Sequence, residues 1–213
     1  MTRPAAPHLV WHFDVISPFA ALAVADIAKL AVDHEIEFRP VLFAGLLKAH
    51  GHLGPAEIPA KRVQTYRMAQ WLAREHNVDF RFPPAHPFNP LLVLRLLCVR
   101  TLAAADVVAA FHLIWGEGCD PESAGTAQRL ADGLGIAPDA AQQQSAKDRL
   151  RTNTDAALAA GVYGVPTLQI GSELFWGLDA LPIARAYIAD PALFTSGEMA
   201  RLSNLPMAIE RRR

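Results

Sequence analysis

Residues His8 to Val41 constrain the fold more than any other stretch of this chain. "HLVWHFD" (His8–Asp14) is short and rich in aromatic and branched side chains, the composition of a strand. "SPFAALAVADIAKLA" follows at once. Serine is a favoured N-cap, proline is favoured at the first helical position, and the alanine-rich run to about Val32 has strong helix propensity. "HEIEFRPV" (His34–Val41) then reads as a second strand after a very short connection. Strand, helix, strand at this spacing predicts a βαβ unit whose two strands pair in parallel.

From Glu57 to Ala160 the pattern changes to helices. "PAKRVQTYRMAQWLAREHN", "NPLLVLRLLCVRTLAAADVVAAFHLIWGEG", "SAGTAQRLADGLG" and "DAAQQQSAKDRLRTNTDAALAAG" all repeat apolar residues at three- and four-residue intervals. "FRFPPAHPFNP" (Phe80–Pro90) interrupts them as an extended or turning segment, because its prolines disfavour helix. After Gly161 strands return: "VPTLQI", a turn at Gly171–Ser172, and "ELFW" predict a β-hairpin. "GLDALPIARAYIAD" follows as a helix whose first turn holds Asp179, and the remainder reads as tail.

Composition narrows the function classes. With 213 residues, 52% of them hydrophobic, the chain can bury a sizeable core. A net charge of -1 gives no basic field for phosphate backbones, so nucleic acid is not an expected partner, and Arg211–Arg213 reads as a solvated tail. The N-terminal residues lack the apolar core of a secretory signal, and no run approaches the ~18 apolar residues of a membrane span. The expectation is a cytoplasmic protein without membrane contact. Cys98 and Cys119 form no C-x-x-C pair and have no histidines at ligand spacing, so they read as inert thiols and no metal is expected.

A βαβ half, a helical block and a ββα half are, in that order, the arrangement of an α/β thioredoxin-like fold with a large all-helical insertion, as in the DsbA-like branch. The expected boundaries are 1–56 and 161–213 for the thioredoxin-like domain and 57–160 for the inserted helices. Four stretches carry a closer likeness: "FDVISPFAALA", "KAHGHLGPAEIPAKR", "FPPAHPFNPLLVLRL" and "GVYGVPTLQIGSELFWGLDAL". In this order, from about Leu9 to Ile188, the chain resembles the 2-hydroxychromene-2-carboxylate isomerase family, kin to kappa-class glutathione transferases.

The resemblance implies a role for each stretch. A thioredoxin-like redox enzyme starts its first helix at a C-x-x-C pair, whose thiolate gains from the helix N-terminus. Here Ser17-Pro18-Phe19-Ala20 stands there without cysteine, which excludes disulfide exchange at this position. What remains is a helix start with a hydroxyl donor, and the resemblance implies that it holds the thiolate of glutathione, with Ser17 catalytic. Read from residues alone, Ser17 is a plain N-cap; one hydroxyl can serve both roles, accepting from a backbone N–H and donating to sulfur.

Val165–Pro166, just before the third strand, is implied to be a cis peptide that frees the Val165 main chain to pair with glutathione. A proline at a strand's first residue is equally compatible with the sequence. At "FWGLDAL", Trp176, Gly177 and Leu178 are implied to bind glutathione, with free N–H groups taking the γ-glutamyl carboxylate and Asp179 its ammonium. Relatives more often read "WGQDRL" or "FGSDR", so Leu178 and Ala180 depart from the pattern. Lys61 matches a lysine near the glycyl carboxylate. Lys48, His52 and Asn89 are candidates for the substrate, although His52 replaces the usual asparagine of a "GN-x-PP" turn and Asn89 also suits a helix cap. Phe43, Phe88 and Trp176 offer an apolar wall for an aromatic substrate, or core packing.

Three functions fit this reading. The first is a glutathione-dependent isomerase of an aromatic-degradation intermediate, the second a kappa-like transferase, and the third a non-catalytic glutathione-binding module. "LLKAHGHLGPAEIPAKR" together with "FPPAHPFNPL" leans to the first. The resemblance further implies a homodimer and a small aromatic substrate.

Overall fold

The computed structural model describes residues 7–209; the N-terminal residues before Pro7 and the Arg211–Arg213 run lie outside them. The chain begins with β1 (Leu9–Phe13), α1 (Pro18–Asp33) and β2 (Ile36–Pro40), the expected βαβ unit. α1 starts as anticipated: the Ser17 hydroxyl accepts from Ala20 N at 3.2 Å, and Pro18 occupies the first turn, where its missing N–H costs nothing. α2 (Phe43–His50) was not read from the sequence; it is short and ends at Gly51.

The helical block comprises α3 (Pro59–Glu75), α4 (Leu91–Leu97), α5 (Ala104–Phe111), α6 (Ala124–Leu134) and α7 (Gln144–Ala159), with a π-turn at His112–Gly116. The single helical stretch expected from Asn89 to Gly118 is thus divided. Its break has a visible cause: Asp106 accepts from Ala103 N at 2.7 Å and starts a new helix, while Arg100 holds both Asp106 at 2.7 Å and the Leu134 carbonyl at 3.0 Å.

β3 (Thr167–Ile170) and β4 (Glu173–Trp176) form the hairpin, followed by α8 (Leu181–Ala189) and α9 (Gly197–Leu202). α8 starts later than expected: Asp179 precedes the helix rather than sitting in its first turn, because Leu178 to Ala180 form a turn closed by Leu181 N donating to the Leu178 carbonyl at 3.3 Å. α9 lies in what was read as tail.

The sheet runs β2-β1-β3-β4. β1 pairs parallel with β2, with Trp11 opposite Phe38, and antiparallel with β3, with Trp11 opposite Leu168; β3 and β4 are antiparallel. This register sends Leu9, Trp11, Phe13, Phe38, Leu168, Ile170 and Phe175 to one face, where they merge with residues of α1 and of the helical block into one apolar core. Trp11 stacks on Phe13 at 4.8 Å and meets Phe111 of α5 at 5.9 Å. The opposite face carries His12, Arg39, Thr167 and Gln169, and α7 reaches it: Asn153 donates to the Pro40 carbonyl at 3.1 Å and Thr154 accepts from Leu42 N at 3.0 Å. All five residues of β1 are therefore buried. Among the described residues no helix is long and apolar enough to cross a membrane.

Candidate functional site

Ser17 lies at the C-terminal edge of the sheet, where β1 hands over to α1. Ser17 is 6% exposed, and its hydroxyl lies 3.5 Å from the Val165 carbonyl, toward which it donates. That distance is the limit of a hydrogen bond, so the proton is weakly held. The Val165–Pro166 peptide is cis. The next carbonyl, that of Pro166, accepts from Gly177 N at 2.9 Å, which ties the Trp176–Ala180 turn to the same segment. Trp176 is 50% exposed and lies over Gly164, where its indole leaves no room for a Cβ. Ser17, Val165, Trp176 and Gly177 are thus brought together. Among the described residues the N–H groups of Leu178, Asp179 and Ala180 have no acceptor, and the exposed Asp179 carboxylate has no donor.

No hydrogen bond or ion pair among the described residues joins the remaining candidates to this cluster. His52 is exposed, with its ring 6.0 Å from that of His50, whose Nε2 meets the Val162 carbonyl at 3.2 Å. This puts the α2 C-terminus beside the Val162–Val165 loop. Lys48 and Lys61 are exposed on α2 and α3, and no hydrogen bond or ion pair among the described residues joins either to Ser17, Val165 or Asp179. Asn89 accepts from Leu91 N at 3.1 Å just ahead of α4, a local turn contact next to the Pro90 cap position. Phe88 is buried beside His86 and Trp115 and packs the core. Cys98 is buried and free, and burial pushes its thiol up to about 12; Cys119 is half-buried and free.

Three residues that sequence reasoning missed hold the turn before Ser17, and a fourth, Tyr66, contacts one of them. Asp14 is fully buried, and its carboxyl accepts from Ile16 N at 3.0 Å and from Phe43 N at 2.9 Å. Burial raises its pKa to about 7, against the pull of those two N–H groups. Trp115 donates from Nε1 to the Val15 carbonyl at 2.8 Å. His86 reaches the Ile16 carbonyl at 2.8 Å and the Tyr66 hydroxyl at 2.7 Å. An acidic residue ending an apolar strand was the one available signal, for Asp14. On the polar face of the sheet, burial lowers the His12 pKa to about 4, despite its bond to Gln169 at 2.9 Å.

Residues 8–189 match the family described as the DsbA-like thioredoxin domain. The chain belongs to this family. Within it, the chain is 29% identical over 190 residues to a 2-hydroxychromene-2-carboxylate isomerase of Sphingobium xenophagum, covering 84% of this chain and 97% of that protein. It is 25% identical over 206 residues to glutathione S-transferase kappa 2 of Caenorhabditis elegans, covering 84% and 90%. A solved 2-hydroxychromene-2-carboxylate isomerase superposes with a TM-score of 0.75 at 24% identity, covering 92% of this chain and 97% of that one. These agree with the resemblance read from the four sequence stretches. In this chain Ser17 occupies the start of α1 without a neighbouring cysteine.

Proposed function

We propose that the protein is an isomerase that uses glutathione to turn over 2-hydroxychromene-2-carboxylate or a similar aromatic-degradation intermediate. The observation that carries this reading is the buried Ser17 hydroxyl at a helix start, beside Val165 and a turn with unpaired N–H groups. These residues fit the parts of glutathione. Ser17 Oγ already accepts from Ala20 N, so its own hydrogen is free to turn from the 3.5 Å contact with Val165 toward a thiolate. The Val165 main chain pairs with the extended tripeptide. The Leu178 and Asp179 N–H groups take the γ-glutamyl carboxylate, and the Asp179 carboxylate takes the ammonium. Lys61 is assigned to the glycyl carboxylate, Lys48 and His52 to the acidic substrate and Trp176 to its ring.

When bound, glutathione would supply a thiol able to add reversibly to the unsaturated substrate, and Ser17, Val165, Leu178 and Asp179 would hold it. The chain's part is to keep that sulfur ionised. A hydrogen bond to a charged group is worth about 1.5–3 kcal/mol, or one to two pKa units of the bound thiol. Ser17→Ala is therefore expected to raise that pKa by about 1–2 units and to slow turnover about 10- to 100-fold. The test is spectral: thiolate absorbance of the complex, and isomerisation of a chromene carboxylate with and without glutathione. Unchanged absorbance and rate in the variant would remove Ser17 from the reaction. Conjugation of a chlorinated aromatic without isomerisation would reassign the protein to the kappa-like transferases.

A further inference from the structure

Tyr66 on α3, His86 in the proline-rich segment and Ile16 form a chain of contacts that ends one residue before Ser17. His86 Nε2 is 2.8 Å from the Ile16 carbonyl, His86 Nδ1 is 2.7 Å from the Tyr66 hydroxyl, and that hydroxyl is 2.6 Å from the His86 carbonyl. The imidazole is enclosed by the rings of Tyr66, Phe82, Phe88 and Trp115. Burial holds His86 below its ordinary pKa, which favours the neutral ring with one N–H. A carbonyl only accepts, so that hydrogen must sit on Nε2 for the Ile16 contact to be a bond. Nδ1 is then a bare acceptor, and the single Tyr66 hydrogen, which also faces the His86 carbonyl at 2.6 Å, satisfies it only when shared between the two acceptors in a three-centre bond. With the other tautomer, two lone pairs would face each other 2.8 Å apart at Ile16.

The Ile16 carbonyl shares its peptide plane with Ser17 N–H, which donates to the Asp14 carbonyl at 3.1 Å. One edge of the plane is fixed by His86 and the other by Asp14. Loss of either lets the plane turn and swings the Ser17 side chain off its line.

We propose that Tyr66 and His86 are positioning residues for Ser17: Tyr66 sets the histidine tautomer, and the histidine holds the peptide that aims the serine hydroxyl. The catalytic consequence rests on the reading of Ser17 as the thiolate donor; the tautomer and the fixed peptide stand without it. A misplacement of about 1 Å can cost about 100-fold in rate, so a partial release of this peptide is expected to cost about tenfold.

The test uses the full chain and the variants Tyr66→Phe, His86→Leu and His86→Gln. Nitrogen-15 shifts of the imidazole are expected to give the Nε2–H form in the parent and a mixture of tautomers in Tyr66→Phe. Amide exchange at Ser17 is expected to quicken about tenfold in Tyr66→Phe and His86→Leu, with the β3–β4 hairpin unchanged, as loss of one hydrogen bond implies. Turnover should fall without a change in the KM for glutathione, and His86→Gln, whose amide N–H can reach the Ile16 carbonyl, should recover part of it. An Nδ1–H parent, or Tyr66→Phe with unchanged Ser17 exchange, overturns the pairing. Faster exchange with unchanged turnover overturns the link to Ser17. A parent that exchanges as expected but isomerises nothing overturns the proposed function and leaves the pairing supported.

Discussion

The Asp14–Ser17 turn and the Gly177–Ala180 turn both bond to the Val165–Pro166 segment, yet they are built in opposite ways. The first is held from within. Asp14, Trp115 and His86 supply four bonds from side chains 2 to 100 positions away, and Asp14 and Ser17 are almost fully buried. The second is anchored only at its ends, by Gly177 N on the Pro166 carbonyl and Leu181 N on the Leu178 carbonyl, and its middle N–H groups point to no protein acceptor among the described residues. A group that must donate to a developing or buried charge gains from being fixed before the ligand arrives. A group that grips the ligand's own charged ends can leave its bonds unmade until then. Rigidity on one side and unspent hydrogen-bonding capacity on the other are what this contrast predicts for the energetics.

The largest effect should fall on the held side. Trp115 is 1% exposed, stacks on Phe80 at 5.3 Å and caps the Val15 carbonyl, so Trp115→Ala removes a buried ring and leaves a carbonyl unpaired. A loss of about 3–5 kcal/mol in urea unfolding is expected. A loss under about 1 kcal/mol would mean that the helical block does not support the turn.

Asp14→Asn should cost less, about 1–3 kcal/mol, because the amide NH2 then meets either Ile16 N–H or Phe43 N–H instead of an acceptor. Its pH signature is more telling. Asp14, raised from 3.8 to about 7, keeps its proton in the folded chain between those values while the unfolded chain has lost it, so its contribution to stability declines as pH rises through that window. His12, lowered from 6.5 to about 4, behaves oppositely: the unfolded chain holds the extra proton, and stability climbs with pH between about 4 and 6.5. In the parent the two slopes oppose each other. Asp14→Asn leaves His12 uncompensated, so stability should rise with pH across that window by up to about 1.4 kcal/mol per unit. The same pH dependence in parent and variant would show that Asp14 is ionised in the folded chain.

The same contrast separates what the sequence could reveal from what it could not. β1, α1, β2 and the hairpin were legible because their signals are local: period, a Ser-Pro start, and Gly171–Ser172 between two short strands. Ser17 and Val165–Pro166 were legible for the same reason, each marking the start of an element. Asp14 and His86 were not, since their meaning depends on Phe43, Ile16 and Tyr66 at separations of 29, 70 and 20 residues. A histidine among prolines carries no sign of its partner. The start of α8 was misplaced because "GLDALP" has helix-like composition, whereas Gly177 takes φ 95° and turns the chain before the helix can begin.

That glycine gives the next prediction. Any side chain at Gly177 would be strained by its positive φ and would meet the Asp179 carboxylate. Gly177→Ala should cost roughly 1 kcal/mol of stability, with a larger effect on glutathione affinity because Asp179 is displaced. Calorimetric titration with glutathione, set beside thermal unfolding, reads both.

Asp179→Ala isolates the open side. The carboxylate is exposed, lies before α8 rather than in its first turn, and accepts no hydrogen bond among the described residues, so the folded chain loses nothing that it had used. Stability should change by less than about 0.5 kcal/mol. If the carboxylate meets the ammonium of glutathione, that charge-assisted bond disappears, and the KM for glutathione should rise about tenfold, corresponding to about 1.4 kcal/mol, with little change in kcat. Ser17→Ala gives the mirror image, a fall in kcat at nearly constant KM. Should Asp179→Ala instead lower kcat at constant KM, its carboxylate acts on the reacting end of the site, and the division into a rigid catalytic turn and an open gripping turn fails.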